Sequence, residues 1–99
     1  MEKGELTYQE ALDLVSQGLQ KYSAQSGCPM ALNEGETIVK PYGWVFFYNS
    51  KQFLESGEFR HALAGNGPVI VNKYTGEIVF CGSVGGVEGN IQAYESQRL

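Results

Sequence analysis

Gly43-Trp44-Val45-Phe46-Phe47-Tyr48 is the most strongly β-prone run in the chain, and its reading decides the fold. After the glycine, every residue is aromatic or β-branched, the side-chain types that pack best on a pleated surface. Alternation sends Trp44, Phe46 and Tyr48 to one face of a strand, with Tyr42 read as continuing that set, and Val45 and Phe47 to the other. Both faces are apolar. The strand is therefore expected in the middle of a sheet, because an exposed edge of this composition would recruit other chains. Pro41 has no N–H to donate and marks an edge or a bend just before it.

Upstream, Thr37–Lys40 is a β-branched, strand-like stretch, Asn33-Glu34-Gly35-Glu36 is a turn, and Met30–Leu32 forms a short strand. Further back, Thr7 and Glu10 have the spacing of a capping box, which opens a helix. Tyr8, Leu12, Val15, Leu19 and Tyr22 recur at helical spacing as one apolar stripe. Gly18 weakens that helix by about 1 kcal/mol relative to alanine, which points to close packing against another element. The helix is expected to stop before Gly27-Cys28-Pro29.

Downstream, Asn49-Ser50 caps a short helical segment carrying Phe53, Leu54, Phe59 and Leu63 and broken at Gly57. Ala64-Gly65-Asn66-Gly67-Pro68 reads as a tight connection into the strand Val69-Ile70-Val71. Lys73-Tyr74-Thr75-Gly76-Glu77 reads as a hairpin loop with Gly76 left-handed, followed by the return strand Ile78–Cys81. Gly85-Gly86 precedes a closing helix with Val87, Ile91 and Tyr94 on its apolar stripe. The predicted fold is α+β. It has a mainly antiparallel four- to five-stranded sheet, N- and C-terminal helices packed on one face, and a short helical segment between strands.

The chain has 99 residues, the size of a single domain, so residues 1–99 are read as one unit. The hydrophobic fraction of 42% and the charged fraction of 18% are those of an ordinary globular chain. The net charge is −4. Nucleic-acid binding needs a basic footprint, so that class is set aside; membranes of anionic lipid are repelled for the same reason. A basic protein partner would be attracted. No signal peptide is visible in Met1–Glu5, and no apolar run approaches the ~20 residues of a membrane span. Cys28 and Cys81 have no nearby cysteine and are read as buried reduced thiols, which fits a cytoplasmic protein.

Reaction chemistry is hard to assemble from this sequence. His61 is the single histidine, follows Arg60, and is read as a solvated side chain. A nucleophile pair would need Cys28, Ser50 or Ser83 beside it. One histidine and two distant cysteines do not suggest a zinc site. No metal, cofactor or catalytic residue is expected. The residues that remain are candidates for contact with a partner. Glu34, Glu36, Glu55 and Glu58 fall in turn-like segments and suit electrostatic attraction of a basic surface. Tyr42, Trp44 and Tyr48 would supply contact area if one sheet face were open. The competing reading makes the carboxylates solvated surface charge and buries both sheet faces.

The run from Tyr42 to Lys51, continuing through Phe53-Leu54-Glu55-Ser56-Gly57 to Leu63-Ala64-Gly65-Asn66-Gly67-Pro68, resembles the immunity protein 35 family, also called YrhB-like. Tyr8 and Ala11 in the first helix, the Thr75-Gly76-Glu77 hairpin and Tyr94-Glu95 in the last helix extend the resemblance over nearly the whole chain. It implies a bacterial cytosolic protein of polymorphic-toxin systems that neutralises a cognate protein toxin by direct binding. A chaperone-like holdase that binds unfolded proteins through exposed aromatics is the alternative. The resemblance carries over no catalytic residue, and the motif glycines and aromatics read as builders of the fold. A homo-oligomer paired along the edge near Lys40 and Pro41 is compatible with the sequence but not required by it.

Overall fold

The computed structural model describes residues 5–62, 66–82 and 84–98. In chain order these form α1 (Tyr8–Ser26), β1 (Met30–Leu32), a 3-10 turn (Glu34–Glu36), β2 (Ile38–Lys40), β3 (Gly43–Phe46) and β4 (Tyr48–Ser50). Then follow α2 (Lys51–Ser56), a second 3-10 turn (Phe59–His61), β5 (Asn66–Asn72), β6 (Ile78–Gly82) and α3 (Gly86–Arg98).

The helix ends follow the local chemistry. The Thr7 hydroxyl accepts from the Glu10 N–H at 3.1 Å, and the Glu10 carboxylate accepts from the Thr7 N–H at 2.9 Å. Both halves of the capping box are therefore made. Gly27 ends α1 in the left-handed conformation, φ 72°, where a side chain would be strained. Ser50 caps α2 by accepting from the Phe53 N–H at 3.0 Å.

The strands make an antiparallel four-stranded sheet in the order β2-β3-β5-β6 and a separate antiparallel pair, β1-β4. The β-prone run that decides the fold is thus divided. Gly43–Phe46 is the central strand expected, between β2 and β5. At Phe47 the chain leaves that sheet, and Tyr48–Ser50 pairs with Met30–Leu32 instead. β5 begins at Asn66, so Asn66-Gly67-Pro68 belongs to a strand and not to a tight connection. Leu63, Ala64 and Gly65 lie outside the described residues, as does the candidate Ser83.

The α+β class and the antiparallel sheet match the expectation; the placement of the terminal helices does not. Ala11, Leu12, Val15 and Leu19 of α1 pack with Phe46, Val69 and Val71. Ile91 and Tyr94 of α3 pack with Val45, Ile70 and Tyr42. The two helices therefore cover opposite faces. The physical reason lies in β3 and β5, which turn large apolar residues to both faces: Trp44, Phe46, Val69 and Val71 to one, Val45 and Ile70 to the other. Each face needs its own cover, and one helix per face provides it. Tyr42 also departs from its expected side. It lies in the Pro41-Tyr42 turn of the β2-β3 hairpin, and Gly43 follows at φ 153°, so strand alternation does not carry back to it. At Gly43 a Cβ would lie 1.9 Å from the Val71 carbonyl oxygen, which excludes any side chain there.

The Gly18 expectation is met: a Cβ there would lie 2.9 Å from Cζ of Phe80, so the absent side chain lets α1 sit against β6. The 73–77 hairpin also forms as read, with Gly76 at φ 77°. Asn72 organises it, its Oδ1 accepting from the N–H groups of Tyr74 and Thr75 at 2.9 and 3.1 Å. Cys28 and Cys81 are half-buried free thiols; burial raises the pKa of Cys81. Among the described residues, no helix is long and apolar enough to cross a membrane.

Candidate partner-binding surface

The structure divides the seven candidate contact residues among three places. Glu34 and Glu36 lie exposed on the 3-10 turn between β1 and β2. The Tyr8 hydroxyl donates to Glu34 Oε1 at 3.4 Å, and the Tyr8 ring meets Trp44 edge-on at 5.8 Å between centroids. Tyr8 thereby joins Glu34 to Trp44, a link that the helical stripe alone did not reveal. Trp44 also stacks on Phe46 at 6.4 Å. Tyr48 meets Phe80 edge-on at 6.4 Å, and burial raises its pKa. Trp44 and Tyr48 are both half-buried on the face that α1 covers.

Tyr42 is on the other side, 6% exposed. Its ring lies 5.5 Å from that of Tyr94, and its hydroxyl donates to Glu95 Oε2 at 2.8 Å. Lys40 Nζ approaches the same Glu95 oxygen at 3.3 Å. Burial, then the hydrogen bond to the Glu95 carboxylate, raises the Tyr42 pKa well above the usual tyrosine value. The hydrogen bonds from Tyr42 and Lys40 lower that of Glu95. A second set of contacts adjoins this one. The Asn72 side-chain amide donates to the Tyr94 hydroxyl at 3.1 Å, and that hydroxyl donates to Glu77 Oε1 at 3.2 Å. Tyr42 therefore fastens α3 to the sheet; it presents no ring at the surface.

Glu55 and Glu58 stand exposed on α2 and the segment after it. Between Glu58 and Arg60, Phe59 is 85% exposed, its ring 6.0 Å from that of Phe53. Its position was legible as an apolar residue of a short helix. Its exposure was not, because that depends on the second 3-10 turn leading away from α2. Glu58 Oε1 is 2.9 Å from Arg60 Nε and 3.5 Å from His61 Nε2, so part of the charge at this corner is already balanced. The described partner of the His61 imidazole is Glu58. The Ser50 hydroxyl donates to the backbone carbonyl of His61, not to its ring. Among the described residues, no group of three or more histidine, cysteine or carboxylate side chains is placed to hold a metal ion.

Two adjoining hollows along α1 were not indicated by the sequence. The first, about 410 Å³, lies between α1 and β1, with Leu12, Leu19, Met30 and Leu32 at its floor and Asp13 and Glu34 at its rim. The second, about 540 Å³, continues past Met30 toward Gly27 at the end of α1. Lys51 borders both.

The family model of immunity protein 35 matches residues 9–93. The chain is also similar to the uncharacterized protein YrhB of Escherichia coli (strain K12), 39% identical over 56 residues. That match spans 57% of this chain and 60% of the relative's length. No solved structure matches. The matched segment runs from the first turn of α1 into α3, past the buried Ile91, and takes in the whole four-stranded sheet. This chain belongs to the immunity protein 35 family.

Proposed function

We propose that this protein is a toxin-neutralising immunity protein that acts in the bacterial cytosol by binding a cognate protein toxin directly, without catalysis, as one domain over residues 1–99. The observation that carries this reading is the family match across residues 9–93, which covers both helical layers and the sheet between them. The surface supports it. Phe59 is an aromatic ring held nearly free of the fold beside Glu55 and Glu58. A large exposed aromatic with a polar rim has the make-up of a binding hot spot. The net charge of −4 favours a basic partner over nucleic acid or anionic lipid. The Ser50 hydroxyl is committed to helix capping and to the His61 carbonyl, and the His61 ring faces Glu58. Neither is arranged as a nucleophile–base pair.

The test is co-expression with the toxin domain encoded beside this gene. Protection of the host, together with a complex that co-purifies at fixed stoichiometry, supports the reading. A toxin that kills equally in the presence of this protein, with no complex formed, refutes it.

A further inference from the structure

We infer that two copies of this chain pair along β6, antiparallel about a twofold axis centred on Val79, and so join their four-stranded sheets into one. This pairing does not depend on the immunity function.

A sheet edge recognises an extended chain through its unpaired backbone groups. Among the described residues, β5 is the one strand paired with β6. The Asn72 N–H donates to Glu77 O at 2.9 Å, and on the other side of β5 the Lys73 N–H donates to Tyr42 O at 2.7 Å. Alternation from these two bonds sets Ile70 and Val79 as a hydrogen-bonded pair and turns the Val69 and Val71 backbone toward β3. The N–H and C=O groups of Ile78 and Phe80 therefore point away from the sheet, and among the described residues they meet no other backbone partner. The opposite edge, β2, is guarded. It is three residues long, turns Val39 alone outward, ends at Pro41, and holds Lys40 in an ion pair with Glu95. β6 has five residues and contains neither proline nor charge.

Three features select a second copy as the occupant. First, the edge is self-complementary. In an antiparallel pair, residues with outward backbone groups oppose each other. With Val79 opposite Val79 of the second copy, Ile78 opposes Phe80 in both directions, and every outward N–H and C=O of the two residues is bonded. Centring the pair on Phe80 instead needs Gly82, whose carbonyl already accepts from the Asn90 side-chain amide at 2.9 Å. Centring it on Ile78 needs Gly76, whose N–H already donates to Asn72 O at 2.9 Å. Second, the flank of α1 beside this edge is open and apolar. Gly18 and Tyr22 lie against Phe80, and Leu14 shares their row at a spacing of four residues. Leu14 is 39% exposed and Tyr22 43%, whereas the other flank of α1, with Ser16 and Gln20, faces β1. The twofold sets the Leu14–Gly18–Tyr22 row beside its own copy and covers both exposed side chains. Third, neither the row nor β6 carries a charge. Two molecules of net charge −4 therefore set no like charges against each other along this seam. A basic toxin finds no carboxylate there to prefer.

The experiment follows the full chain by sedimentation at rising concentration, where the mass should climb from 10.9 kDa to twice that value. Amide hydrogen exchange at Ile78 and Phe80 should slow by about tenfold or more in the dimer, with Val39 on the β2 edge unaltered. The two facing Val79 residues form a non-hydrogen-bonded pair with Cα atoms about 4.5 Å apart, within the reach of a disulfide. In a Cys28→Ser, Cys81→Ser background, Val79→Cys should therefore become a covalent dimer under oxidised glutathione, and Val39→Cys should not. Leu14→Glu, which turns a charge into the seam, should raise the dissociation constant by about tenfold or more. Urea unfolding establishes that each variant folds; should Val79→Cys fail to fold, the exchange of the native chain decides. A chain that stays monomeric at millimolar concentration overturns the proposal. So does a dimer that is crosslinked through Val39→Cys and not through Val79→Cys, which assigns the contact to β2. A monomer whose Ile78 and Phe80 exchange slows only on addition of the toxin domain overturns it as well and gives the β6 edge to the toxin.

Discussion

The Tyr42 hydroxyl donates a 2.8 Å hydrogen bond to the Glu95 carboxylate across a sequence separation of 53 residues, fastening the closing helix to the turn of the β2-β3 hairpin. The two groups titrate in opposite directions. The Glu95 pKa is lowered in the fold. Its contribution is therefore present above the ordinary carboxylate pKa of about 4.3 and is lost as pH falls through the folded value. The Tyr42 pKa is raised. Its contribution is present below the ordinary tyrosine pKa of about 10 and is lost as pH rises from there toward the folded value. Urea midpoints should be level between about pH 6 and pH 9 as far as this pair is concerned and decline on either side. Tyr42→Phe should remove its share of the alkaline decline and weaken the acid one.

Asn72 should be among the costliest polar residues to replace. It is buried, accepts two N–H groups of its own hairpin, and donates to the Tyr94 hydroxyl. Asn72→Ala leaves those groups unmatched at once and should cost about 2–4 kcal/mol in chemical denaturation. Asn72→Asp keeps the two acceptor bonds but places a carboxylate near Glu77, so its stability should improve on mild acidification.

Gly18 and Gly43, both closely packed, should respond differently to alanine. At Gly43 the added Cβ meets backbone, at 1.9 Å from Val71 O, and the residue sits at φ 153°. Gly43→Ala should cost more than about 2 kcal/mol. At Gly18 the Cβ meets the far edge of the Phe80 ring at 2.9 Å. A small ring displacement offsets the roughly 1 kcal/mol gained in helix propensity, so Gly18→Ala should fall within about 1 kcal/mol of the native protein. Thermal unfolding of the two variants side by side checks both values.

Aromatic truncations should separate stability from binding. Phe46 is fully buried, and Phe46→Ala should cost about 3–5 kcal/mol. Trp44 is half-buried against Tyr8 and Phe46, so Trp44→Ala should cost less than Phe46→Ala. Phe59→Ala should change stability by less than about 0.5 kcal/mol and, under the immunity reading, weaken the toxin complex by about tenfold or more. Unfolding curves and a binding titration on the same three variants distinguish these outcomes.

Charge reversal at Glu34 and Glu36 should slow toxin association more than reversal at Glu55 and Glu58. Glu58 already faces Arg60 and His61, whereas the described hydrogen bond to Glu34 comes from the neutral hydroxyl of Tyr8. Stopped-flow association at two salt concentrations measures the difference, which should shrink at high salt.

Local chemistry alone determined much of this molecule. The Thr7–Glu10 capping box, the stop at Gly27, the Ser50 cap, the left-handed Gly76 and the central position of Trp44–Phe46 all depend on neighbours a few residues away. Each was legible in the sequence and is present in the fold. Only the tertiary structure decided that α1 and α3 take opposite faces, that the chain changes sheets at Phe47, and that Tyr42 turns inward to Glu95. The candidate surface followed the same division. The exposure of the carboxylates at 34, 36, 55 and 58 was legible, although Glu55 lies in α2 and not in a turn; the hollows along α1 and the freestanding Phe59 were not legible. A periodic pattern states which side of an element is apolar; it does not state which distant element will cover that side, or leave it open.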